Sequence, residues 1–177
     1  MKALIFLAVS FWASLVTAEP IGVGGARHLL ERTGFGAPPA LLQEYSRLER
    51  VAAVDRLLNG STSGLRNKPP EIPYERPGHL KDLSEDERLP AHREFARQGA
   101  EMRSWWIAEM LAAPTAQDAL RERMTLFWHN HFVSSQQKVK SGTLMLRQNE
   151  LLRRHGPGQL CHVTSCRGQR PGDADLP

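Results

Sequence analysis

Wherever hydrophobic residues recur regularly along this chain they do so at three- and four-residue intervals, the spacing of a helix face, and the N-terminal half carries no strand-like alternation. Gly24 to Thr33 predicts a short helix ended by Gly34, and Phe35-Gly36-Ala37-Pro38 a turn before a proline-initiated helix from Pro39 to Tyr45. Ser46 and Glu49 stand in the spacing of a capping box. The box would start a helix that buries Leu48, Val51, Val54, Leu57 and Leu58 and stops at Asn59-Gly60. Between about 60 and 90 the chain holds Pro69, Pro70, Pro73 and Pro77 among serine, glycine and mixed charge, which predicts a linker or an extended surface loop. Ser84 and Glu87 could cap a short turn within it. Ala91 to Ala113 predicts a longer helix carrying Phe95, Met102, Trp105, Trp106 and Met110 and closed by Pro114. Its adjacent tryptophans cannot share one face, so at least one must meet another element.

The densest pattern runs from Glu122 to His155 and reads as two helices joined by a polar turn. From Ala119 to Phe132 the stripe is Leu120, Met124, Phe127, Trp128 and His131. Ser134 to Lys140 breaks it. A second helix, from about Thr143 to Arg154, sets Leu144, Met145, Leu151 and Leu152 against Arg147, Glu150, Arg153 and Arg154, and Gly156-Pro157 ends it. The expected fold class is therefore all-α: an irregular multi-helix domain with a proline-rich loop. There is no internal repeat.

The string WHNHFVSSQQKVKSGTLMLRQNELLRRH, from Trp128 to His155, closely resembles the bacterial family known as domain of unknown function 1800. So does ARHLLERTGFG, from Ala26 to Gly36, and the two blocks stand in the family's order with a Trp-Trp helix between them. The resemblance covers roughly residues 24 to 155, the N-terminal part of what is usually a much longer chain. It implies a helical fold and export, and it carries over no catalytic residues. Members are often encoded beside a second exported family, domain of unknown function 1501, which the resemblance implies as a possible partner.

The N-terminus points to export on its own residues. Lys2 precedes an apolar stretch from Ala3 to Val16, and Val16-Thr17-Ala18 has the small residues of a signal-peptidase site, so residues 1–18 are expected to be removed. A membrane anchor is the alternative, but an apolar run of about 14 residues falls short of the roughly 20 that span a bilayer. The rest of the chain has no second run of spanning length. The mature product is therefore expected to be periplasmic or secreted, with no transmembrane span. The formal charge of the whole chain is +4, lowered by one when Lys2 leaves with the leader. Arginines interleave with acids across the helices instead of lining one stripe, which argues against a nucleic-acid surface.

Candidate chemistry centres on His129-Asn130-His131. In an extended segment a His-x-His pair aims both imidazoles to one side and can hold two positions of a metal ion. On a helix the rings lie roughly 200° apart, so one ion cannot take both unless the backbone breaks. A divalent metal at His129 and His131 is thus open but not favoured. The favoured reading makes His131 a hydrogen-bonded core residue beside Phe127 and Trp128, with His129 at the surface or against another segment. Arg147, Gln148, Asn149 and Glu150 form a dense polar set that could orient a histidine or bind a cation through oxygen, although a solvated helix face is the commoner origin of such a set. His129, His131, Arg147, Asn149 and Glu150 together are the candidate polar site. There is no nucleophile elbow, phosphate loop or dinucleotide fingerprint. Two functions stay open: a cell-envelope binding or assembly factor, and a metal- or histidine-dependent exported hydrolase.

Residues 156–177 differ in kind. LCHVTSCRGQRPGDADLP has no hydrophobic face and contains both cysteines. Taken literally, Cys161 and Cys166 could close a small disulfide loop in an oxidising compartment. One choice among the codons the genetic code permits for Gly158 onward, selected for this comparison and read from the second nucleotide, instead translates as ANFATLLHAVAKDPAMLIY. That string is apolar at helical intervals and resembles the family's own continuation beyond the RRH segment. The tail is therefore expected to be an out-of-frame product of a single-nucleotide frameshift near Pro157 or Gly158. Residues 19–155 would then be the N-terminal part of the helical domain.

Overall fold

The computed structural model describes residues 19–74, 82–132 and 135–156. Residues 1–18, expected to be a leader, and residues 157–177, with Cys161 and Cys166, lie outside the described residues. Among those described the architecture is all-α: α1 (Gly22–Thr33), α2 (Pro39–Ser46), α3 (Arg50–Asn59), α4 (Glu85–Ala112), α5 (Ala116–His131), α6 (Gln136–Val139) and α7 (Gly142–His155). None of these helices is long and apolar enough to cross a membrane.

Two cores form, joined by α5. The first packs α1, α2 and α3 against the start of α5 through Ala26, Leu30, Tyr45, Ala53, Leu57 and Ala116, with Leu41, Leu42 and Leu120 at its edges. An isolated bridge between Pro20 and Glu49, with Ile21 N–H donating to the Leu48 carbonyl at 2.8 Å, ties the entry of α1 to the start of α3. Gly34 lets α1 end against α5, since a Cβ there would lie 3.0 Å from that of Ala119 and 3.1 Å from the Leu30 carbonyl oxygen. The second core packs α4, α5 and α7 through Met102, Trp105, Trp106, Met145 and Leu152.

Several sequence expectations are corrected by this arrangement. Ser46 is the last residue of α2 and its hydroxyl donates to the Gln43 carbonyl at 2.9 Å, so the Ser46–Glu49 capping box does not form. The box that does form is Ser84–Glu87. The Glu87 carboxylate accepts from the Ser84 backbone N–H at 3.1 Å and from its hydroxyl at 2.7 Å, and it opens a 28-residue helix in place of a short turn. α4 runs through Pro90, whose missing N–H falls near the helix start, where exposed Asp86 can give its carbonyl to water. The face buried by α3 is Ala53 and Leu57, while Val51 is 71% exposed and Val54 and Leu58 also face solvent. Ala53, fully buried, makes the contact with the first core beside Leu57.

The described part of the proline-rich stretch, residues 60–74, is an extended surface loop held down at several points, and Pro77 lies outside the described residues. Its backbone N–H groups at Arg66 and Asn67 donate to the buried Glu109 carboxylate at 2.9 and 2.7 Å, and that of Ser63 donates to Asp118 at 3.0 Å. The Trp105 indole donates to the Asn67 carbonyl at 3.1 Å, and Thr143 to that of Pro73 at 2.9 Å. The loop uses carboxylates of α4 and α5 where a sheet would use neighbouring strands.

Candidate functional site

Helix α5 is turned relative to its apolar stripe. Its buried positions Asp118, Glu122 and Thr125, continued by partly buried His129, lie on one face at helical spacing, whereas Phe127 and His131 are exposed. The expectation that His131 sits in the core is therefore corrected, since it is exposed, while His129 lies against other segments, one of the two placements expected for it. The reason lies in α7, which presents Asn149, Leu152 and Arg153 to α5, so that the two helices meet largely through polar groups.

At the centre Glu122 accepts a bidentate pair of hydrogen bonds from Arg153, Nε and Nη2 each at 2.8 Å, and a third from the Trp106 indole at 2.9 Å. Both charged side chains are almost wholly buried. The Arg153 guanidinium also lies over the Trp105 ring at 4.8 Å, so both adjacent tryptophans contact the same ion pair, one by its face and one by its N–H. The apolar pattern of α7 puts Arg153 on the solvent side, and the structure buries it. Arg121 pairs with Asp118 at 3.1 Å and lies 3.7 Å from Glu122, while Asp118 accepts from the Thr115 hydroxyl at 2.7 Å. Among the described residues three buried atoms of this site have no hydrogen-bond partner: Arg121 Nε, Arg153 Nη1 and Asn149 Oδ1.

His129 stands beside this pair. Its ring is 4.7 Å from that of Trp106, and its Nε2 is 3.3 Å from the Asn149 amide nitrogen. With the amide nitrogen facing the ring, Nε2 accepts and the imidazole proton is on Nδ1; with the amide turned over, its oxygen accepts from a protonated Nε2. Burial, assisted by the charge of Arg153, lowers the pKa of His129 from 6.5 to about 4, so the ring is neutral near pH 7. A neutral imidazole oriented by an amide can accept or relay a proton.

The structure brings together two of the five candidate residues, His129 and Asn149. His131 leaves the other side of α5, into an aromatic cluster with Phe127, Trp128 and Phe132. Arg147 is exposed and lies 5.9 Å over the Tyr74 ring. Glu150 lines an open hollow of about 480 Å³ with Thr62, Leu65, Arg121, Arg153 and Arg154. The backbone stays helical through His131, so the two histidines diverge, and among the described residues no three His, Cys, Asp or Glu side chains group as metal ligands do. Glu122 and Arg153 are not legible as a pair in the sequence because nothing local links residues so far apart along the chain. The available signal is the polar run Asp118, Glu122, Thr125, His129 at one-face spacing.

An all-α protein organised around a buried arginine–carboxylate pair is the class defined by this fold and site. The family model described as Protein of unknown function (DUF1800) matches residues 28–164, and the chain belongs to that family. No curated protein and no solved structure matches the chain.

Proposed function

We propose that this protein is an exported cell-envelope binding or assembly factor. The observation that carries the reading is that large apolar side chains sit on outward helix faces while the buried acids are all engaged. Ile107 and Leu111 lie one turn apart on α4, Val51 and Leu58 two turns apart on α3, and Phe127 protrudes from α5. Exposed apolar surface of this kind marks interaction sites. Glu109, Asp118 and Glu122 meanwhile hold the loop or an arginine, which leaves none of them free as a general base. The Lys2-to-Ala18 leader pattern supports export, and the family resemblance offers a domain of unknown function 1501 protein as the first partner to try. Affinity capture of the tagged full chain from the envelope fraction tests the reading. A consistent stoichiometric partner is expected, and repeated recovery of the chain alone would remove it.

A histidine-dependent hydrolase is the second reading, and neutral His129 against Asn149 favours it. It requires hydrolysis of an ester or amide probe that is lost on His129→Ala, together with any bound metal; equal activity in that variant would dismiss it. That one permitted choice of codons beyond Pro157 yields a helix-patterned shifted translation motivates a further proposal, that the residues from about Gly158 are read in a shifted frame. Resequencing the gene from the Leu151 codon decides this: an open shifted frame is expected, and a confirmed reading of CHVTSC would make the two cysteines genuine.

A further inference from the structure

We infer that the hollow between the end of α1 and the outer face of α5 docks a protein segment that presents carboxylates around an apolar side chain. This rests on the binding reading above and names its partner's chemistry. The hollow, about 540 Å³, is lined by Arg32, Arg123, Met124, Leu126, Phe127 and Asn130. Arg123, Phe127 and Asn130 share one face of α5, and Arg32 comes from the last turn of α1. Phe127 is 52% exposed, held by its edge contact with Trp128 at 4.9 Å. It offers a fixed aromatic surface to an incoming apolar group.

Charge selects the partner. No carboxylate lines the hollow. Elsewhere on the surface Arg56 is met by Glu44 and Arg97 by Glu94 and Glu101, whereas among the described residues no carboxylate pairs with Arg32 or Arg123. Arg123 instead lies 5.5 Å over the Phe35 ring, which fixes its guanidinium beside the hollow with its edge N–H groups available. Two guanidinium groups free of carboxylates, flanking an exposed aromatic ring, complement acids flanking an aliphatic side chain, and they disfavour a basic segment. Asn130 at the rim can bond the segment's backbone.

The test uses the full chain and a fluorescein-labelled peptide with Glu-Leu-Leu-Asp at its centre, followed by anisotropy, with one control peptide carrying lysine for the acids and another serine for the leucines. The acidic peptide should bind, weaken with salt, and lose affinity by about tenfold or more on Phe127→Ser, the loss expected for an interface anchor. Arg32→Glu with Arg123→Glu, two exposed positions whose change leaves the cores intact, should weaken the acidic peptide and strengthen the lysine one. Equal binding of both charged peptides, no binding of any, or Phe127-dependent self-association of the chain would overturn the inference. If the charge-reversed variant still captures its envelope partner undiminished, this surface is wrong while the binding reading stands.

Discussion

Glu122 neutralises Arg153, receives the Trp106 indole and lies within reach of Arg121, so its charge is shared by three elements of local structure. Changing Glu122 to glutamine leaves a buried guanidinium without its counter-ion and is expected to cost about 3 kcal/mol of stability in urea unfolding. Adding Arg153→Met should recover much of the loss, because the stranded charge is then gone; strictly additive losses would show that the pair is not coupled. His129 contributes through linkage with a definite sign. Its folded pKa of about 4 lies below the 6.5 of the unfolded chain, so acidification protonates the unfolded state first. Its contribution is complete above about pH 6.5 and is lost as pH falls towards 4. Thermal unfolding of His129→Asn should show a flatter pH profile than the parent across that window. His129 and Asn149 are visible in the sequence as polar residues of a dense motif, but their meeting is not, since it depends on the rotation of two helices about their axes.

Helix ends decide more here than helix interiors. The sequence pattern locates six of the seven described helices, with the start of α4 at Glu85, well before the expected Ala91; the exception, α6, is a single polar turn capped by the Ser135 hydroxyl, with no apolar stripe to reveal it. At the head of α4, the rule against interior proline argues for a start beyond Pro90 and the Ser84–Glu87 pair for an earlier one, and the structure gives the capping pair the greater weight. At the head of α5, Thr115 caps the Asp118 N–H at 3.1 Å while Asp118 holds the loop through Ser63. Thr115→Ala is therefore expected to lose about 1–2 kcal/mol, at the upper end for a lost cap, as read from the denaturant midpoint. Glu109→Ala removes the acceptor for two loop amides. Hydrogen exchange at Arg66 and Asn67 should accelerate by orders of magnitude in that variant while α1 to α3 stay protected; unchanged exchange would mean the loop is held by its remaining ties to Trp105, Asp118, Arg121 and Thr143.

Over the whole molecule, the two helical cores are covered unevenly. Nothing in the apolar period predicts that α5 buries acids and exposes Phe127; period alone cannot say which face finds a partner when that partner, α7, brings Asn149 and Arg153 to the contact. The inversion leaves Phe127 outward on α5, and α3 and α4 also turn apolar side chains outward, the surface on which the binding reading rests. The most direct test is site-specific photo-crosslinking in the source cells from Leu111 and Phe127, with ion-paired, exposed Arg97 as control. Discrete adducts with a protein of the envelope are expected from one or both apolar positions, and none from Arg97. No adduct from either apolar position, with the protein folded and correctly delivered, would overturn the binding reading.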